Sequence, residues 1–406
     1  MLFLVDVLYF LCAPLLLVWA AVSRIKGHPP RKGLLGRLGH GVTLNQTTNR
    51  VVLHAVSVGE VNAIRTLISD LHDSGYELVI CVTTDTGLQR AEELFGKDHT
   101  VTRYPLDFGF AVRRFLKRVK PNIFALVELE VWPNCIGISE KRNIPVVVIN
   151  GRLSERSFKR YKIATPLLRK TFSRLAAIGM QTEMYAQRVR ELGGKNVSVL
   201  GTMKWDNAKI VETVEGAEEL AKDLGINTKK PLIVAGSTTP EEHALLLDSI
   251  PEGVQLLCAP RRPEWFDDAE KILAPCNRRT SNTKTHTNHF LLDTFGELDK
   301  AYALADIVVI GRSFSPLHGS DPVQSIAFGK PTIIGPNASD FEDMVYQLVE
   351  GNGLIQCTKE ELKKHIQLLL EDASLRTNLV TNGRKIIQSQ QGATKRYEQL
   401  IVDNMP

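Results

Sequence analysis

Val51-Val52-Leu53-His54-Ala55-Val56-Ser57-Val58-Gly59-Glu60 begins as a β-branched run, turns through small residues and leads into the amphipathic stretch Val61–His72. A strand that ends in a glycine turn and gives way to a helix is the repeating unit of a parallel sheet. The unit recurs along the chain. Leu78–Val82, Ile123–Val127 and Val146–Ile149 are strand-like, with amphipathic segments at Leu88–Phe95 and Phe108–Val119 between them. After residue 230 the pattern restarts, and strands are expected at Leu232–Ala235, Leu256–Ala259, Phe290–Leu292, Ile307–Ile310 and Thr332–Ile334. This alternation predicts an α/β fold of two doubly wound domains whose strand ends face a cleft. The first is expected over residues 33–208 and the second over 231–406, with the strandless stretch 209–230 as the crossover. Arg278–Asn288, polar throughout, reads as a loop or mobile insertion.

At 406 residues the chain is long enough for two such domains. An apolar fraction of 43% against 23% charged residues marks a folded globular protein rather than a disordered one. The net charge of +5 favours anionic lipids or phosphorylated substrates without demanding nucleic acid. Cys12, Cys81, Cys135, Cys258, Cys276 and Cys357 are scattered, with no CxxC and no histidine at ligand spacing. They read as core residues of a reducing compartment, and no metal is expected. Leu2 to Val22 is apolar apart from Asp6 and Pro14, and is followed by Arg24, Lys26, Arg31, Lys32 and Arg37. A run of that length spans about 30 Å of hydrocarbon as a helix. The basic flank then keeps the rest of the chain on the cytoplasmic side of the membrane, so residues 1–23 read as an uncleaved anchor. A cleaved signal peptide and a surface-lying helix are the rival readings, the latter because Asp6 is costly at depth.

Several strand ends carry residues suited to chemistry. Glu60 falls in or beside a first helical turn, beside Ser57 and Gly59. It suits either a ligand site or a favourable N-terminal charge. Glu128 and Glu130, in Glu128-Leu129-Glu130-Val131-Trp132-Pro133-Asn134, share a face if the chain stays extended. Buried like charges need a cation, a hydrogen-bond network or substrate hydroxyls, and Arg152 is a candidate partner in a simple ion pair. Gly236-Ser237-Thr238-Thr239-Pro240-Glu241-Glu242 offers backbone N–H groups and hydroxyls for an anion, although no Walker lysine follows. Pro260-Arg261-Arg262 offers guanidinium groups to an anion, or is a surface pair. Asp321, Pro322 and Gln324 fit an N-cap, a first helical position and a reciprocal capping residue. Two stretches, Arg113 to Lys120 and Arg156 to Lys170, interleave basic residues with Phe115, Phe158 and Tyr161. They read as solvated faces or as contacts to an anionic membrane surface.

Taken in order, the apolar N-terminus, His54–Glu60, Thr83-Thr84, Glu128–Asn134, Asn150–Ser154, Gly201–Asp206, Gly236–Thr238, Ala259–Glu264, Asp293–Leu298 and Gly329-Lys330-Pro331 resemble the 3-deoxy-D-manno-octulosonic acid (Kdo) transferases. The resemblance implies two Rossmann-like domains in the arrangement called GT-B. It implies inverting transfer of Kdo from CMP-Kdo to a lipid A precursor at the cytoplasmic face of the inner membrane, without cofactor or metal. It assigns Glu60 as general base, Glu130 and Lys204 to stabilising the transition state and departing phosphate, and Glu128, with Ser57, Gly59 and Arg152, to the acceptor side. Pro260, Arg261, Phe295, Gly296, Glu297, Asp321, Pro322, Val323, Gln324, Gly236 and Ser237 would hold the donor. The chain departs from the family at Gln324, where a glutamate is usual, and at Arg312 and Thr239, where glycine and histidine are. An amide still accepts through its carbonyl oxygen, so ribose contact survives in altered form. A nucleotide-sugar 2-epimerase of related fold and a non-catalytic lipid-binding descendant are the alternative functions.

Overall fold

The computed structural model describes Asp6, Val7, Tyr9, Gly33 and residues 35–406. The expected anchor, residues 1–23, lies outside the described residues except for those first three. No helix among the described residues is long and apolar enough to cross a membrane.

The chain divides into two compact units, Met1–Asn207 with Gln391–Pro406, and Ala208–Gln390. In the first unit the described strands are β1 (Arg50–Ala55), β2 (Glu77–Val82), β3 (Thr100–Arg103), β4 (Ile123–Val127), β5 (Val146–Gly151), β6 (Ala177–Met180) and β7 (Val197–Val199). They form one parallel sheet in the order β3-β2-β1-β4-β5-β6-β7. Strands β1, β4 and β5 are buried along their whole length, which is why their stretches Val51–Leu53, Ile123–Val127 and Val146–Ile149 read in the sequence as apolar runs. Helices cover both faces of the sheet, and each face has its own core, one around Phe124 and Phe172, the other around Leu53 and Tyr397.

The second unit repeats the plan with β8 (Leu232–Thr238), β9 (Gln255–Pro260), β10 (Asn277–Arg278), β11 (His289–Leu291), β12 (Ile307–Ile310), β13 (Thr332–Ile334) and β14 (Ile355–Gln356), ordered β10-β11-β9-β8-β12-β13-β14. In both sheets the strand order reverses beside the first strand, between β1 and β4 and between β8 and β12. Loops leaving the carboxyl ends of these strands diverge there and open a crevice.

Three expectations are corrected. The boundary at 406 fails because the last helix, Ala393–Asp403, returns to the first unit. The Asp206 carboxylate accepts the Gly392 and Thr394 N–H groups, at 2.6 and 2.5 Å, and Tyr397 donates to Gly201 O at 2.8 Å. The crossover 209–230 holds a helix of the second unit, Ala217–Leu224. Val61–His72 is split at Ile64 into helices Val58–Ala63 and Arg65–Asp73. Arg278–Asn288 is a loop as expected from residue 279 on, and only Arg278 ends β10, where its guanidinium meets Asp267 at 2.8 Å, Glu270 at 2.8 Å and Asp293 at 2.5 Å.

Candidate active site

The loop after β1 places Ser57 at the N-cap and Glu60 at the third position of the helix Val58–Ala63. The Ser57 hydroxyl donates to Glu60 Oε1 at 3.1 Å, and the Val56 N–H donates to Oε2 at 2.7 Å. This is a capping arrangement, so the charge-at-a-helix-end reading of Glu60 holds locally. It is not the whole account. Glu60 is 8% exposed, and no ion pair among the described residues involves it. Burial, followed by the neighbouring Glu128, pushes its carboxyl up to about 8. Glu130 adds a smaller push in the same direction. Three carboxyl groups thus share the crevice at the β1/β4 reversal.

Glu128 stands there by backbone strain. Its φ of 58° is left-handed, so the chain does not run on extended from β4 and the expected same-face spacing with Glu130 is corrected. A glutamate in that region is unfavourable without surrounding constraint. Here its N–H is held by Ile149 O at 2.9 Å. Burial raises the Glu128 carboxyl, opposed by Lys204 and then Arg152. Glu130 is raised by burial as well. Lys204 arrives on the short helical turn Met203–Asn207, which Asn150, itself left-handed at φ 52°, fixes by accepting the Met203 N–H at 3.1 Å. Lys204 and Arg152 thus favour the ionised form of Glu128, while Glu60 and Glu130 are pushed up by burial and by Glu128. His54, just upstream, is spectator chemistry. It is fully buried, its Nε2 lies 3.1 Å from Thr83 Oγ1, its ring packs on Tyr104, and burial lowers it to about 3.

In the second unit the equivalent reversal is laced together by a residue to which the sequence assigned no role. Glu242, 2% exposed, accepts the N–H of Thr239 at 3.0 Å, of Arg312 at 2.9 Å and of Phe314 at 3.0 Å. It thereby ties the loop after β8 to the loop after β12. The loops touch so closely that a Cβ on Gly311 would lie 2.6 Å from Ser237 O. Ser237 and Arg312 are both left-handed, at φ 58° and 59°. Arg261 N–H donates to Thr238 O at 3.0 Å, which brings Pro260 and Arg261 beside the same loop. Gly236 leaves room for Tyr302, whose hydroxyl would stand 2.0 Å from a Cβ there. Asp321 is among the charges that raise the buried Tyr302 phenol, after burial itself, so Gly236 and Asp321 share a neighbourhood.

A family model described as 3-Deoxy-D-manno-octulosonic-acid transferase (kdotransferase) matches residues 32–207. The 3-deoxy-D-manno-octulosonic acid transferase of Haemophilus influenzae is 30% identical over 417 aligned positions, which cover 97% of this chain and 96% of that one. The chain belongs to the Kdo transferase family. It is a glycosyltransferase. The transferase of the same description from Bordetella pertussis is 29% identical, with 87% of each chain covered. A crystal structure of a glycosyltransferase from Rickettsia africae covers 88% of this chain and 99% of its own at a TM-score of 0.60 and 12% identity, a likeness of GT-B-type fold.

Within this transferase, the structure gathers Ser57, Glu60, Glu128, Glu130, Arg152 and Lys204 in the first unit, and Gly236, Ser237, Pro260, Arg261 and Asp321 in the second. Phe295 is 64% exposed on the loop after β11, with its ring tilted against Phe266. Gly296, at φ 84°, makes that turn, and Glu297 is engaged by Thr294 at 2.6 Å and Arg279 at 3.2 Å. The expected cap at Asp321 is corrected. The helix begins at Val323 with Pro322 in the cap position and no side-chain cap, and Gln324 plays no reciprocal part. Asp321 Oδ1 instead accepts the Val323 N–H at 2.9 Å. Glu242 could have been found from sequence, because Thr239-Pro240-Glu241-Glu242 is a capping-box pattern, and its carboxylate does accept the cap N–H of Thr239.

Proposed function

We propose that this transferase moves Kdo from CMP-Kdo to a lipid A precursor with inversion, using Glu60 as general base. The observation that carries the reading is a buried carboxyl raised to about 8 and flanked by two further carboxyls at a strand-order reversal. A base is most effective when its pKa lies near the working pH. The acceptor hydroxyl gives its proton to Glu60 as its oxygen attacks the anomeric carbon. The bond from that carbon to the phosphate oxygen breaks, and CMP departs with the electron pair. Glu130 faces the oxocarbenium-like charge of the sugar, Lys204 the charge growing on phosphate, and Glu128 supports the acceptor side. Arg152, Ser57 and Gly59 are assigned to the acceptor. The strand-end loops of the second unit, with Gly236, Ser237, Pro260, Arg261, Phe295–Glu297 and Asp321–Gln324, are assigned to the donor.

The proposal places the enzyme on the cytoplasmic face of the inner membrane, held by the apolar N-terminus and an anionic lipid surface. Ile163 supports the surface contact, being 85% exposed among the exposed Lys159, Arg160 and Lys162. Exposed apolar residues ringed by lysine and arginine suit an anionic lipid boundary.

The test is transfer from CMP-Kdo to a tetraacylated lipid A precursor by wild type and Glu60→Gln. The variant is expected to lose about 10³-fold in turnover while binding CMP-Kdo normally. Turnover within a few-fold of wild type removes Glu60 from the role of base.

A further inference from the structure

Asp6 is a carboxylate inside a run of apolar residues, a costly placement unless its oxygens are satisfied. They are satisfied by residues far along the chain. Asp6 Oδ1 accepts the Gly109 N–H at 2.8 Å and the Asn134 side-chain amide at 2.9 Å. Gly109 opens the helix Gly109–Val119, whose cap residue Phe108 contributes no side-chain bond, so Asp6 supplies the acceptor that this helix end lacks. The contact also needs a glycine, because a Cβ on Gly109 would stand 2.6 Å from Asp6 Oδ2. One helical turn after Asp6, the Tyr9 hydroxyl donates to Asp107 Oδ2 at 3.1 Å and its ring stands edge-on to Phe108. Asp107 in turn accepts the N–H groups of Asn134 and Cys135 at 3.0 and 2.8 Å, capping the helix Pro133–Glu140. Asn134 lies four residues beyond Glu130, so the loop that carries Glu128 and Glu130 is held by β4 at one end and by this cluster at the other.

We propose that Asp6 and Tyr9 form a clamp that fixes the apolar N-terminal segment in register with the Glu128–Asn134 loop. The clamp sets the position of Glu128 and Glu130 relative to a lipid-embedded acceptor. Asp6 and Tyr9 are thus positioning residues, acting through Asn134 and Asp107. The inference rests on the proposed glycolipid acceptor, and it predicts a dependence on how that acceptor is presented.

The full chain is assayed on a lipid A precursor in phosphatidylethanolamine–phosphatidylglycerol vesicles and, separately, on its deacylated, water-soluble counterpart. Asp6→Leu makes the segment more apolar, so sedimentation with vesicles is retained while the clamp is lost. Its kcat/KM is expected to fall about tenfold or more on vesicles, the scale of a lost charged hydrogen bond, and to stay at wild type on the soluble acceptor. Asp6→Asn keeps an acceptor oxygen for Gly109 and is expected to restore vesicle activity, while Tyr9→Phe gives a smaller loss of the same kind. An equal fall on both acceptors, or no fall on either, overturns the clamp. Should wild type turn over neither acceptor, the transfer reading fails. The clamp is then judged by hydrogen exchange, with the Gly109 amide faster in Asp6→Leu if it holds and unchanged if it does not.

Discussion

Glu60 and Glu242 occupy the same place in two copies of one design. Each is the third residue of a helix that follows the first strand of its sheet, each answers a hydroxyl-bearing cap residue, and each is buried. They differ in what fills their oxygens. Glu242 accepts three backbone N–H groups from two loops, whereas Glu60 accepts one backbone N–H and one serine hydroxyl. A carboxylate saturated by fixed donors is a brace. One with lone pairs to spare, buried and pressed by Glu128 and Glu130, binds a proton more tightly than a free glutamate and titrates near neutral pH, as the proposed base requires. The helix-cap motif by itself therefore does not distinguish scaffold from chemistry. The count of donors around it is what separates Glu242 from Glu60.

The comparison breaks first on activity, since the loss expected for Glu60→Gln is the largest effect and should leave the fold intact. Next comes Glu242→Ala, which strands three N–H donors of Thr239, Arg312 and Phe314 and is expected to cost about 3 kcal/mol in stability, with donor affinity falling alongside. Thermal unfolding measures it. A melting temperature equal to wild type would show that these loops are held by other means. Glu60→Ala frees one backbone donor, the Val56 N–H, and the rotatable Ser57 hydroxyl, and its stability loss should be visibly smaller.

A subtler difference lies in pH. The Glu60 carboxyl rises from 4.5 unfolded to about 8 folded, chiefly through burial. Folding therefore favours its neutral form. The associated stability is fully present below about pH 4.5 and is lost as pH climbs through about 8. Glu60→Gln lacks this loss. Its melting temperature should match wild type near pH 4.5 and exceed it at pH 9, by an amount equivalent to at most a few kcal/mol. An advantage that shrinks with rising pH would contradict the assigned direction.

Much of this was legible beforehand, for a physical reason. Buried parallel strands such as Ile123–Val127 and Ile307–Ile310 are apolar on both faces and announce themselves. Edge strands do not: Thr100–Arg103 and Val197–Val199 are short and partly exposed, and the inner strand Ala177–Met180, though buried, is hidden for another reason, carrying one β-branched residue. The return of the last helix to the first unit depends on Asp206 meeting Gly392 and Thr394, a contact that no local pattern encodes. At the site, residue types pointed to Glu60 and Glu128, but nothing in a glutamate's identity foretells a left-handed backbone at Glu128. That strain follows from the sheet around it. At Glu242 the local pattern has only the ordinary meaning of a helix cap, and its second task, reaching the loop after β12, is long-range.

The central claim is that Glu60 takes the proton from the acceptor. It is tested most directly by kcat/KM for sugar transfer measured from pH 6 to 10 in wild type and in Glu60→Gln. The predicted wild-type profile rises with a midpoint near 8, and the variant profile is low and lacks that limb. A wild-type profile flat across this range, or a variant that keeps the same rising limb, would contradict it.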